Sequence, residues 1–259
     1  MDNIKEIPYG VADFVVMREQ NLYYVDKTMY LEELERQSRF VFFIRPRRFG
    51  KSLFISMMQA YYDKAMANRF DKLFGGLQVA QKPTPNRSRY QVLYLDFSRV
   101  GGNIAQLEEK FNAYCNHELD FFIDRYFNDY PQRFKEAFYA CKDAGEKINM
   151  LGRQAKSHQI PLYLIIDEYD NFTNTVLNEE GQEMYHAMTH AEGFYRDMFK
   201  KFKGNFERIF MTGVSPVTLD DVTSGFNIGW QLSTNPLFDK MLGFSTHDVR
   251  EMFTYYKNV

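Results

Sequence analysis

The sequence predicts an α/β fold: three layers, α/β/α, with a mainly parallel sheet between two layers of helices. Two observations carry this expectation. The runs 40–44, 92–97 and 161–166 are short and nearly unbroken in apolar residues, the pattern of strands buried on both faces. Segments of helical periodicity separate them, and such alternation builds parallel sheets with right-handed crossovers. Two of these runs also end in residues that carry chemistry, where ligands of such sheets bind.

Taken in order, the first helix is expected from about Val11 to Glu19. A short extended piece, 23–28, leads into a helix with Leu31 and Leu34 on one face, which Asp26 or Thr28 could cap. The strand 40–44 runs into a turn and then a helix reaching about Ala67. Gly75-Gly76 and the run 82–86 mark a loop. Gln91 to Phe97 is the second strand. A helical insertion follows it, interrupted at Pro131 and ending near His158. The third strand ends in Asp167-Glu168. A polar loop (171–181) and a helix to about Lys203 precede a fourth strand, 207–212. Residues 217–221 fit a helix start or turn, and 228–232 a short fifth strand. A helical unit begins at 235–238, and a last helix is capped at Ser245 or Thr246.

Composition narrows the function classes. The 259 residues suffice for one large domain. A net charge of −2 gives no overall bias toward nucleic acid or anionic membrane. The two cysteines, Cys115 and Cys141, lie in no CxxC pattern, so neither a disulfide framework nor a zinc site is expected. The polar start carries no apolar signal region. No run approaches the ~18 apolar residues of a membrane span. The expected location is the cytoplasm.

The chemistry concentrates at 45–53. Gly50-Lys51-Ser52 ends a turn between a strand and a helix, the layout in which backbone N–H groups at a helix N-terminus cradle phosphates. Arg47, Arg48, Phe49, Gly50, Lys51, Ser52 and Leu53 are the candidate phosphate-binding residues. Lys51 would reach the β/γ-phosphates and the Ser52 hydroxyl would ligate Mg²⁺. The usual pattern is Gly-x4-Gly-Lys-[Ser/Thr], and Arg45 stands where its first Gly belongs. The second half of the site is expected at Asp167-Glu168: Asp167 for the metal with Ser52, and Glu168 to orient or deprotonate the attacking water. Asp170 either faces the same edge or caps the next loop. Thr212 either senses the γ-phosphate or caps the turn at Gly213. Arg45, Arg47 and Arg48 either add positive charge near the phosphates, supply an arginine finger toward a neighbouring subunit, or pair locally with the acidic loop around Asp170. Tyr24 and Asp26 either border the base or pack. His186 and His190 fit a surface pair, and Lys200, Lys201 and Lys203 a solvated helix end. Asp96 ends a strand with no assigned task.

Five stretches occur together: Tyr24-Val25-Asp26-Lys27-Thr28, 43–53, Tyr94-Leu95-Asp96-Phe97-Ser98, 164–170 and Thr212-Gly213-Val214-Ser215-Pro216. The late 226–228 and Leu242-Gly243-Phe244 join them. With these motifs, over nearly its whole length, the chain resembles the AAA-ATPase-like family, P-loop NTPases of the additional-strand class near the archaeal and STAND-type ATPases. The arginine-rich turn is that family's own form of the P-loop. The resemblance implies a P-loop ATPase unit over 1–235, with 236–259 starting a truncated C-terminal helical or winged-helix unit. It implies ATP and Mg²⁺ as cofactors and a PD-(D/E)XK nuclease-like domain or partner protein. It leaves nucleic acid and self-association open. The expected activity is Mg²⁺-dependent ATP hydrolysis with Lys51, Glu168 and Thr212 catalytic, driving a conformational change. The alternative is a nucleotide-dependent switch with little turnover. A nuclease activity is not expected, because no PD…(D/E)xK pattern is placed.

Overall fold

The computed structural model describes residues 4–101, 104–171, 176, 182–189, 193–215 and 230–257. In chain order the elements are α1 (Phe14–Glu19), α2 (Tyr30–Glu35), β1 (Phe40–Ile44), α3 (Lys51–Tyr62), α4 (Phe70–Phe74), α5 (Gln78–Gln81) and β2 (Gln91–Asp96). There follow α6 (Leu107–Arg125), α7 (Gln132–Ala140), α8 (Ala144–Ser157), β3 (Leu162–Asp167), α9 (Gln182–Thr189), α10 (Phe194–Asn205), β4 (Arg208–Gly213), β5 (Trp230–Gln231) and α11 (Thr246–Lys257).

The sheet order is β2-β3-β4-β1-β5, and every pairing is parallel. β4 lies between β1 and β3, which makes it the additional strand of the expected class. α6, α7 and α8 form the helical insertion after β2. The strands feed two cores by simple alternation. Phe42, Leu93, Leu95, Leu164, Ile166, Ile209 and Met211 pack against the α6–α10 side. Val41, Phe43, Val92, Tyr163, Ile165 and Phe210 pack on the side that carries α1–α5. β3 is buried at every residue, which accounts for its unbroken apolar run.

The helix boundaries differ from expectation for local reasons. α1 starts only at Phe14, because the Asp13 side chain accepts from Val15 N–H and Val16 N–H. α3 stops at Tyr62, short of Ala67. Asp63 turns extended, bridges to Tyr90, and caps a 3-10 turn through Ala65 N–H. The second half of the insertion is two helices. The chain is extended at Cys141, and Asp143 caps a new helix by accepting from Glu146 N–H at 2.6 Å. The helix expected to reach Lys203 is likewise two, α9 and α10, with Gly193 at the cap of the second. α2 has Met29 at its cap. Asp26 instead accepts from Thr28 N–H and from Gln78 N–H, tying 26–28 to α5. Ser245 caps α11 as expected, in a reciprocal pair with Asp248. The expected turn at 217–221 and most of the loop 171–181 lie outside the described residues, as does His190.

α11 lies on the N-terminal segment. Lys27 Nζ meets Asp248 Oδ2 at 2.7 Å. The Tyr255 hydroxyl accepts from Lys5 N–H, and the Tyr256 hydroxyl donates to the Lys5 carbonyl. Among the described residues, no helix is long and apolar enough to cross a membrane.

Candidate functional site

β1, β4 and β3 end side by side, and the loops leaving them meet. Gly213 pairs with Ile44, and its carbonyl accepts from Arg45 N–H at 3.2 Å. The turn after β1 replaces the missing glycine with two left-handed residues further on, Arg48 (φ 67°) and Gly50 (φ 84°), the latter at the cap of α3. Arg48 adopts this conformation at a cost of roughly 1–2 kcal/mol. Strain of this kind collects at ligand clamps.

Lys51 and Ser52 open α3. Lys51 is 5% exposed. Its ammonium donates to the Arg45 carbonyl at 3.1 Å and to the Pro46 carbonyl at 3.3 Å, and lies 3.4 Å from Glu168 Oε1. The Ser52 hydroxyl donates to Asp167 Oδ2 at 2.7 Å. The Thr212 hydroxyl donates to Asp167 Oδ1 at 2.6 Å. Buried Asp167 therefore joins α3, β3 and β4. Glu168 is left-handed too (φ 52°), and its N–H donates to Asp167 Oδ1 at 3.0 Å. These five side chains, separated by up to 161 positions in the chain, form one contiguous set of cation, hydroxyls and carboxylates.

The remaining expected residues sort differently. Arg47, Arg48 and Phe49 are exposed at the loop tip. Neither arginine has a hydrogen bond or ion pair among the described residues. Among the described residues, Arg45 does not pair with the loop around Asp170. Its guanidinium lies 4.5 Å over the Phe43 ring, donates to the Ser233 carbonyl at 2.8 Å and sits 3.8 Å from Asp239. Asp170 is fully buried and accepts from Val214 N–H and Ser215 N–H, so it holds the loop after β4. The Tyr169 hydroxyl joins it by donating to the Ser215 carbonyl. Gly213 is required there: a Cβ would lie 2.5 Å from both Asp170 Oδ1 and the Tyr169 ring. Tyr94 lies on the α3 side of the sheet, and burial together with the charges of Asp167 and Asp96 pushes its phenol up.

Beside the turn lies a largely apolar cavity of about 440 Å³. Tyr24 and Val25 line it from the N-terminal segment, Phe49 and Leu53 from the turn and α3, and Met241 and Leu242 from the C-terminal segment. Burial raises the Tyr24 phenol well above its usual range, with the Asp26 charge adding to it. The cavity's C-terminal wall was not legible as part of a site. Leu242-Gly243-Phe244 stood out only as one of the stretches of the family resemblance, with no task attached.

The oxygen donors fit a hard divalent cation bound together with phosphate. Among the described residues, no group of three or more His, Cys, Asp or Glu could hold a metal alone. Mg²⁺ is usually held by one or two carboxylates plus substrate phosphates, the donor type that Ser52 and Asp167 present.

A parallel sheet in the order 2-3-4-1-5, with a Gly-Lys-Ser turn after β1 and an acidic end on β3, defines a P-loop NTPase-like protein. The family model described as "Predicted AAA-ATPase" matches residues 8–223, and the chain belongs to this AAA-ATPase-like family. The chain is also similar to a protein of Azotobacter chroococcum mcd 1 described as "Uncharacterized protein in vnfD 5'region", with 26% identity over 264 residues. That match covers 96% of this chain and 45% of the relative, so the chain spans less than half of the relative's length. No solved structure matches.

Proposed function

We propose that this chain binds ATP and hydrolyses it with Mg²⁺. The observation that carries the reading is the bridge at Asp167, whose two oxygens accept from Ser52 at 2.7 Å and from Thr212 at 2.6 Å beside the buried Lys51. In this reading the backbone of 46–52 and Lys51 hold the phosphates. Ser52 and Asp167 hold the metal, and Thr212 contacts the γ-phosphate. Glu168 orients the attacking water and accepts its proton. Bound Mg²⁺ would supply charge neutralisation for in-line displacement, and the protein's contribution is mostly positioning. The apolar cavity is the candidate seat of the base, with the ring of Tyr24 on one wall.

The wider reading has 1–235 as the ATPase unit and 236–259 as the start of a C-terminal unit. Nucleotide turnover changes the contacts between them, and from there a nuclease-like domain or partner protein. A cytoplasmic location belongs to this reading. Nucleic acid and further copies of the chain are candidate partners.

The second reading, a switch with little turnover, draws on Lys51. Its ammonium is satisfied by two loop carbonyls and stands 3.4 Å from Glu168, so phosphate-binding cation and candidate base neutralise each other. Phosphate release from Mg²⁺-ATP separates the two. The hydrolysis reading expects turnover that falls about 10²–10³-fold in Glu168→Gln, with nucleotide binding kept. Lys51→Ala is expected to lose both. If the native chain binds ATP but releases phosphate no faster than Lys51→Ala, the switch reading replaces it.

A further inference from the structure

Asp96 sits at the end of β2, and its register partner on β3 is Asp167. Neighbouring strands lie about 4.8 Å apart, and register partners project to the same face. The face is fixed by the residues below them. Val92 and Tyr163 are buried on the α3 side, and Tyr94 packs there. Asp167 reaches the Ser52 hydroxyl at the start of α3. Asp96 continues the same parity, so the two carboxylates leave paired positions on the same face of the sheet, at the end where α3 begins.

Like charges at paired strand positions destabilise a sheet unless donors or a cation offset them. Asp167 is offset by the hydroxyls of Ser52 and Thr212 and by the Glu168 N–H. Asp96 is offset unevenly. Its Oδ1 accepts from Ser98 N–H at 3.0 Å and the Ser98 hydroxyl at 2.6 Å, an Asx turn. Among the described residues its Oδ2 meets only Arg99 Nε, at 3.3 Å, and that arginine side chain is 63% exposed. One oxygen is therefore a turn anchor, and the other, in a side chain only 18% exposed, is loosely held beside the candidate metal residue.

The strand order says on which side of Asp167 it lies. β4, with Thr212, is on one side, and β2, with Asp96, is on the other. Asp96 is thus remote from Thr212, the residue read as meeting the γ-phosphate. Mg²⁺ dehydrates reluctantly and keeps several waters, which need acceptors.

We infer that Asp96 is a positioning residue of the phosphate site: its carboxylate accepts a hydrogen bond from water on the divalent cation that Ser52 and Asp167 hold. This rests on the ATP-binding reading above and adds a third strand, β2, to the site. Asp96 acts through water, and neither the Asx turn nor the sheet pairing requires its charge.

The test is binding of ribose-labelled fluorescent ATP, measured in Mg²⁺ and in EDTA, with the full chain and Asp96→Asn. Asparagine keeps an acceptor for Ser98 N–H and removes the charge. Asp96→Ser serves if the asparagine variant does not fold, since serine also supports the turn. Ser98→Ala is the structural control. The expected result is a loss of roughly tenfold, the low end for outer-shell partners, in the Mg²⁺ concentration response of binding. Affinity in EDTA should stay within about twofold, as should the Mg²⁺ response of Ser98→Ala. Mg²⁺-dependent binding that is equal in native and Asp96 variants overturns the role of Asp96 alone. Equal loss in Mg²⁺ and EDTA, or the same loss of Mg²⁺ response in Ser98→Ala, also overturns it. A native chain that shows no labelled-ATP binding above Lys51→Ala overturns the ATP reading, and the role of Asp96 with it.

Discussion

The two walls around the phosphate-binding turn are built by different means. The inner wall is made of strand ends. β3 is buried throughout, β1 and β4 except at end residues, and their loops are held by Asp167, Asp170 and Gly213. The outer wall is made of the N-terminal segment and the C-terminal stretch 230–257. α11 contributes no buried residue, and it is held by Lys27–Asp248, by two tyrosine hydroxyls on Lys5, and by Tyr23 against the Tyr255 and Tyr256 rings. The inner wall is thereby coupled to global folding. Of the outer wall, α11 can open at the cost of a few surface contacts, as ligand-binding elements generally do, while Leu232, Phe238 and Met241 of the same stretch stay in the core.

The largest expected effect contrasts a phenylalanine from each wall. Phe43 is fully buried in β1 under the Arg45 guanidinium, and Phe253 is 66% exposed on α11. Phe43→Ala should cost about 3–5 kcal/mol. Phe253→Ala should stay within about 0.5 kcal/mol. Urea midpoints at constant slope measure both, and similar losses would mean that the outer wall is as tightly packed as the inner.

Gly213→Ala comes next. The added methyl meets Asp170 and the Tyr169 ring at 2.5 Å, and neither can retreat without freeing the loop after β4. A loss of about 1–3 kcal/mol is expected. Glycine-like stability in the alanine variant would show that this junction gives way more easily than its contacts suggest.

Lys27→Ala tests the outer wall directly. The ion pair is 2.7 Å long with side chains only 12% and 15% exposed. Its loss should lower the opening free energy of α11 by about 1.5–3 kcal/mol, the range for a hydrogen bond to a charged group. The check is hydrogen exchange, which should quicken in α11 and stay unchanged in β3. Equal quickening in both would merge the two walls into one cooperative unit.

This contrast also explains what could be read from the sequence. The inner wall was legible because its physics is local. Doubly buried strands leave unbroken apolar runs; Asp167-Glu168 closes one of them, and Gly50-Lys51-Ser52 follows another after a short turn. Asp96 was visible only as the end of a strand, since its neighbour on the sheet depends on the strand order. The outer wall was hidden for the same reason: Lys5 and Tyr255 are 250 residues apart in the chain. Nor does a propensity pattern reveal that Arg45 stacks on Phe43 and reaches Ser233. The breaks at Asp63 and Asp143 were readable as cap residues, but the apolar pattern continuing past them masked the signal.

The smallest effect is a pH response confined to the outer wall. Partial burial alone would raise the Asp248 carboxyl. The Lys27 ammonium and the Ser245 N–H and hydroxyl outweigh it and hold the group below its ordinary value of 3.8. A depressed carboxyl stabilises the folded form above the unfolded value, and that stability is lost as pH falls through the folded value. The docking of α11 should therefore be constant through neutral pH and weaken only below about pH 4. Asp248→Asn should remove that step while keeping an acceptor for Ser245. Near-ultraviolet circular dichroism of the Tyr23–Tyr255–Tyr256 cluster follows it, because their rings lie 4.9–5.5 Å apart and report on the docked helix. A cluster signal that drops between pH 5 and 8 in the native chain would assign the outer wall to some other titrating contact.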